Sequence, residues 1–209
     1  MTKIKLCGLS RGCDIQWANE LAVDYIGFVF APSSRRYVDS GTAKKLKEEL
    51  DPSIRAVGVF VNEDPLRVAE LLGDGIIDIA QLHGNEDDEY ISRLRSLTDR
   101  PLIRAFRVSG REDLEAAMKC PADHVLLDNG RGGTGEAFDW DIISDFPRPY
   151  FLAGGLGEDN AAEAVEKLRP WAVDVSSGIE TDGLKDRDKM RRFVLAVRAA
   201  SERIGKNEQ

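Results

Sequence analysis

Histidine and cysteine are scarce in this chain of 209 residues: two histidines, His83 and His124, and three cysteines, Cys7, Cys13 and Cys120. An odd number of widely spaced cysteines does not make the disulfide framework of a small secreted domain. No Cys/His cluster has the spacing of a zinc site, so no metal is expected. Also missing is any run of about 18 apolar residues, the length a helix needs to cross a bilayer. The N-terminal MTKIKLCGLS lacks the apolar core and small-residue cleavage pattern of a secretory signal. These absences predict a cytoplasmic protein. Positive charge is in deficit as well, with a net charge of −8. An acidic surface argues against nucleic acid or an anionic membrane as partner. A small anionic ligand, held by a few local donors, stays open, and oligomeric state is not readable.

What is present is a periodic alternation. Hydrophobic residues make up 42% of the chain, which supports a substantial core and excludes a disordered or fibrous protein. Short apolar, β-branched runs fall at 3–7, 25–30, 56–61, 78–82, 102–106, 124–128, 150–153 and 173–176. Each is followed by a polar turn and a stretch of helical period. The predicted helices lie at 15–22, 42–50, 66–72, 87–97, 112–118, 140–144, 160–168 and 186–204, the sixth being short and weakly signalled. The repeat is roughly 20 to 30 residues, the length of a βα unit. Eight such units predict a parallel α/β fold closed into a (β/α)8 TIM barrel, because closure removes both edge strands. A doubly wound open sheet, the alternative, usually has fewer strands. No Pro/Gly/Ser-rich linker divides the chain, so a single domain over 1–209 is expected, with 205–209 as a frayed tail.

In such a barrel chemistry sits on the loops after the strands, and polar residues gather there. Cys7 ends the first strand, Arg35 and Arg36 follow the second, Asn62 the third, His83 the fourth and Arg107 the fifth. Asp128 ends the sixth, Gly154-Gly155 follow the seventh and Ser177-Gly178 the eighth.

Period two puts Lys3, Lys5 and Cys7 on one face of the first strand and Ile4 and Leu6 on the other. If the apolar pair meets the helices, Lys5 and Cys7 face the barrel axis. Cys7 then has two readings: a small buried hydrophobe, or a thiol whose pKa the Lys5 ammonium lowers. Cys13 and Cys120 have no comparable setting. Asp128, after Val125-Leu126-Leu127, either opens a turn into Asn129-Gly130 or is a partly desolvated carboxyl acting as an acid.

Arg36 is either a solvated loop residue or a fork for a carboxylate. The glycine turns after strands seven and eight sit where many barrels bind phosphate through backbone N–H groups. Gly132-Gly133-Thr134-Gly135 is neither a Walker A loop nor a dinucleotide fingerprint. It reads as a loop framing the site.

Taken together, several segments resemble the phosphoribosylanthranilate isomerase family of tryptophan biosynthesis. They are Lys5-Leu6-Cys7-Gly8, Gly27-Phe28-Val29-Phe30 with Ser34-Arg35-Arg36-Tyr37, and Gln81-Leu82-His83-Gly84. Further on come Leu127-Asp128, Phe138-Asp139-Trp140, Leu152-Ala153-Gly154-Gly155-Leu156, Asp174-Val175-Ser176-Ser177-Gly178-Ile179-Glu180 and Gly183-Leu184-Lys185-Asp186. They fall in order over nearly the whole length. The resemblance implies an Amadori rearrangement of N-(5-phosphoribosyl)anthranilate to 1-(2-carboxyphenylamino)-1-deoxyribulose 5-phosphate by general acid–base catalysis. It puts the family's base on Cys7 and its acid on Asp128. Arg36 then meets the anthranilate carboxylate, His83 counts among the substrate-binding residues, and Gly154, Gly155, Ser177 and Gly178 meet the phosphate. It implies no cofactor, because the substrate's own Schiff base is the electron sink.

Two rivals remain at this stage. A related barrel isomerase would use paired aspartates at strands one and five, where this chain has Cys7 and Phe106-Arg107. A non-catalytic phosphosugar-binding barrel would keep the glycine turns and need neither Cys7 nor Asp128.

Overall fold

The computed structural model describes residues 1–128 and 140–207. Strands β1 (Lys3–Cys7), β2 (Tyr25–Val29), β3 (Arg55–Phe60), β4 (Ile79–Leu82), β5 (Leu102–Arg107), β6 (His124–Asp128), β7 (Tyr150–Ala153) and β8 (Ala172–Val175) close one parallel barrel in chain order. Closure is at β1, where Lys5 stands between Tyr25 of β2 and Asp174 of β8. The expected barrel is therefore present, and each strand lies within a residue of its expected bounds.

Helices α1 (Gly12–Leu21), α2 (Ser40–Glu48), α3 (Pro65–Gly73), α4 (Asp88–Arg95), α5 (Arg111–Lys119), α6 (Ala161–Leu168) and α7 (Arg187–Asn207) alternate with the strands. Local chemistry sets their starts. Asp39, Asp64 and Asp87 each accept a backbone N–H of the first turn, from Thr42, Leu66 and Tyr90, satisfying donors the helix cannot. Pro65 occupies a first-turn position, where its missing N–H costs nothing.

Three features depart from the sequence reading. The sixth helix is only a 3₁₀ segment, Trp140–Ile143. A small antiparallel hairpin, β9 (Glu180–Thr181) with β10 (Leu184–Lys185), follows β8 and was not expected. Strands of two residues carry no readable period. Helix α7 runs through 205–207, where a frayed tail was expected; 208–209 lie outside the described residues. So does the loop over 129–139, with the Gly132-Gly133-Thr134-Gly135 segment and the turn at Asn129-Gly130. Among the described residues no helix is long and apolar enough to cross a membrane.

The period-two expectation for β1 holds. Ile4 and Leu6 point outward into the layer shared with the helices, packed with Ile15, Val194 and Val197 among others. Fully burying such a side chain stabilises the fold by about 1.5–3 kcal/mol. The barrel interior is filled in tiers. At the N-terminal end an apolar plug contains Tyr25, Val57, Ile79, Ile103, Leu126 and Phe151. Further along the strands come three polar side chains, Lys5, Gln81 and Asp174, all buried. Cys7 then packs with Val29 and Val59 beneath the C-terminal mouth. The plug keeps water out from below, so polar chemistry is confined to one end.

Candidate active site

A cavity of about 540 Å³ opens at that C-terminal mouth, with Cys7, Arg36, His83, Asp128, Gly154 and Gly155 in its wall. Ser177 also lines it. Seven of the eight site residues expected from sequence thus converge on one cavity from six strand ends. Gly178 is not in that wall. Its backbone bridges to Gly157 and ties the loop after β8 to the loop after β7. Asn62 is drawn aside too: its N–H donates to Glu86 and its side-chain oxygen accepts from Asn85, so it braces two loops.

Cys7 is 8% exposed. Gly27 on the neighbouring strand makes room for it, since a Cβ there would lie 2.7 Å from the sulfur. Below it, the fully buried Lys5 ammonium donates to Asp174 Oδ2 and Gln81 Oε1, both at 2.8 Å. Burial pushes the thiol pKa up, Lys5 pulls it down, Asp174 pushes it up and Lys185 pulls it down; the net shift is upward. The sequence reading has the Lys5 effect right in sign, but desolvation outweighs it. For Lys5 itself burial disfavours the charge, yet Asp174 and Cys7 prevail and its pKa is raised. The other oxygen of Asp174, Oδ1, is buried without a hydrogen-bond partner among the described residues. An unmet buried acceptor beside a cavity is costly and marks a place for a ligand donor.

Asp128 faces His83 across the mouth, with Nε2 to Oδ2 at 3.6 Å. The other ring nitrogen of His83, Nδ1, is 2.9 Å from Gln81 Nε2.

Arg36 is held by Glu180, which accepts from Nε at 2.6 Å and Nη2 at 2.8 Å. Glu180 also accepts from Arg35 and from the nearly buried Lys185. Burial opposes the Glu180 charge, but hydrogen bonds from Arg36 and Lys185 dominate and its pKa is lowered to about 2. Burial pulls the Lys185 ammonium down, against the opposing pull of Glu180. Gly8, at φ +78, lets the Arg36 stem lie against the β1 terminus, where a Cβ would meet its Cδ at 2.5 Å. Glu180 uses the Nε edge of the guanidinium. A second carboxylate can be held on the far edge, because the group carries five N–H donors.

The chain matches the family model described as N-(5'-phosphoribosyl)anthranilate (PRA) isomerase over residues 4–196. It belongs to the phosphoribosylanthranilate isomerase family. An N-(5'-phosphoribosyl)anthranilate isomerase of Endomicrobium trichonymphae is 45% identical over 203 residues, covering 95% of this chain and 100% of the relative. One from Clostridium acetobutylicum is 43% identical, with 95% and 98% covered. Among solved structures, phosphoribosylanthranilate isomerase from Thermotoga maritima superposes with a TM-score of 0.87 at 35% identity, covering 95% of this chain and all of that one. A family structure in complex with reduced 1-(o-carboxyphenylamino)-1-deoxyribulose 5-phosphate superposes at 0.85 and 34%, with the same coverage. A 3-hexulose-6-phosphate synthase from Salmonella typhimurium, at 16% identity and a TM-score of 0.72, shares the fold alone.

Sequence reasoning gave no role to four residues that shape the phosphoribosylanthranilate isomerase site: Gln81, Asp174, Glu180 and Lys185. A signal existed for the first two. Each is a polar residue at an inward position of an otherwise apolar strand, which is tolerated only with partners. Glu180 and Lys185 sit in the short hairpin, and only the folded structure shows that they meet.

Proposed function

We propose that this chain performs the family's isomerisation with Cys7 as general base and Asp128 as general acid. The observation that carries this assignment is their convergence on one cavity beside the buried Lys5–Asp174 pair. Asp128 protonates the ring oxygen of N-(5-phosphoribosyl)anthranilate as the C1–O bond breaks, leaving a protonated Schiff base between C1 and nitrogen. That iminium is the electron sink and acidifies the C2–H. Cys7, as thiolate, removes this proton to give an enolamine, and protonation at C1 with loss of the hydroxyl proton completes the ketone. The order matters for Cys7. Burial raises its pKa, and the cationic Schiff base supplies the charge that favours the thiolate when it is needed. Each proton transfer contributes about 10²–10⁴-fold.

Around this chemistry Arg36 holds the anthranilate carboxylate with its free edge. Gly154, Gly155 and Ser177 offer backbone N–H groups to the phosphate. Asp174 Oδ1 takes a sugar hydroxyl. The test is the loss of anthranilate-substrate fluorescence on adding enzyme. Wild type should turn over, whereas Cys7→Ala and Asp128→Ala should each lose about 10²–10⁴-fold in kcat while melting as folded proteins. Near-normal activity in either variant removes that residue from its role.

A further inference from the structure

We propose that Gln81 is a positioning residue: its amide, oriented by the buried Lys5 ammonium, holds His83 as the neutral Nε2–H tautomer with that N–H turned on Asp128. The inference rests on the acid assignment above and extends it to a chain of contacts beneath the cavity floor.

The argument starts from Lys5, which is fully buried. An ammonium has donors only. The Gln81 atom 2.8 Å from it must therefore be the carbonyl oxygen, since the reversed amide would set NH₂ against NH₃⁺. The Gln81 nitrogen is then necessarily the atom facing His83 Nδ1, at 2.9 Å. An amide NH₂ only donates, so Nδ1 must accept and carries no proton. The neutral ring keeps its single proton on Nε2, and Nε2 is the atom that faces Asp128 Oδ2, at 3.6 Å. Donation thus runs one way, from Lys5 through Gln81 and His83 to Asp128, while Asp174 accepts a second Lys5 N–H.

An N–H aimed at Oδ2 orients the Asp128 carboxyl toward the substrate ring oxygen. The gap of 3.6 Å is longer than a hydrogen bond. Catalytic hydrogen bonds are often long before substrate arrives and tighten with it.

The histidine tautomer is read by nitrogen NMR on protein labelled at histidine. Only His83 and His124 contribute, and His124→Phe assigns them. At neutral pH, wild-type His83 should show a pyridine-like Nδ1 and a pyrrole-like Nε2. In Gln81→Glu the carboxylate still accepts from Lys5 but cannot donate, so the proton should appear on Nδ1. In that variant kcat should fall about tenfold or more, part of what acid catalysis contributes, with KM changed less than about threefold, since phosphate and carboxylate contacts are untouched. His83→Gln places an amide N–H near the Nε2 position without a tautomer to choose. On that background Gln81→Glu should cost little further kcat, the coupling expected of residues in contact. An Nδ1–H tautomer in wild type overturns the proposal. So does a Gln81→Glu enzyme that loses kcat with His83 unchanged, or an equal Gln81→Glu penalty on both backgrounds. Because the tautomer is read without turnover, a wild type that holds Nε2–H but is inactive would sink the isomerase assignment and leave the network standing.

Discussion

The Cys7 sulfur lies over the bare Cα of Gly27, so close that a methyl group there would sit 2.7 Å from it. The two residues are register partners in adjacent strands, and neither backbone can yield without breaking the barrel ladder. Gly27→Ala should therefore push the thiol out of line. Overpacking of this kind costs about 1–3 kcal/mol, so the variant should still fold, with a lowered Tm. Its kcat should drop at least about tenfold, because a displacement on the order of 1 Å at the reacting atom is expensive. Comparing kcat with the melting curve checks this. A folded Gly27→Ala enzyme with normal kcat would mean that Cys7 tolerates movement and is not the base.

The raised pKa of Cys7 makes a second expectation. Burial exceeds the pull of Lys5, so the thiol stays protonated beyond its ordinary value of 9.0. Alkylation by iodoacetamide, mapped by mass spectrometry, should mark the more exposed Cys13 well before Cys7 at neutral pH. Cys7 should catch up only at strongly alkaline pH. Rapid labelling of Cys7 at pH 7 would show a standing thiolate and remove the need for the Schiff-base charge to create one.

The barrel and the convergence of site residues were legible in the sequence for a physical reason. Period-two strands such as Lys3–Cys7 declare which side chains face inward, and a closed barrel gathers all strand ends at one mouth. Cys7 and Asp128 were placed by that logic, and their roles by resemblance. The sign of the Cys7 shift was not legible. It depends on the balance between desolvation and Lys5, and the depth of burial is a tertiary quantity. Nor were the surroundings of Gly178 legible: a glycine after a strand reads as a phosphate contact, and only the folded structure shows its backbone bridging to Gly157 where two loops approach closely. The Glu180 cluster was hidden because Arg36 and Glu180 are 144 positions apart.

Glu180 supports a third prediction. Its carboxylate takes the Nε edge of Arg36 and binds Lys185, which aims the free edge of the guanidinium into the cavity. Glu180→Gln should raise KM about tenfold, a loss of about 1.4 kcal/mol of binding, and change kcat less. The same pair carries a pH signature. The folded pKa, about 2, lies below the ordinary 4.5. The stabilisation is therefore complete above about pH 4.5 and is lost as pH falls toward 2. The Tm advantage of wild type over Glu180→Gln should be largest near neutrality and shrink in acid. An advantage that is constant with pH would show that the charge on Glu180 does not hold the cluster together.

At the opposite end of the barrel His124 stacks on Trp171, with ring centroids 4.6 Å apart, and meets Phe151 edge-on at 5.9 Å. Burial lowers its pKa from 6.5; Asp123 opposes this, while Arg148 and Lys3 reinforce it. The folded state thus prefers the neutral ring, and the unfolded chain binds the proton more readily. The sign follows: this contribution is complete above pH 6.5 and is lost as pH falls from there through the lower folded value. His124→Phe keeps the stacking surface and removes the titration. Thermal melts of wild type and His124→Phe at pH 8 and pH 5 separate the cases. Wild type should lose more Tm between the two than the variant does, while turnover at pH 8 is equal, because His124 lies at the end of the barrel remote from the cavity. Parallel losses of Tm would mean that the imidazole takes up its proton in the folded state as easily as in the unfolded chain, and that the Trp171 stack imposes no cost on its charge.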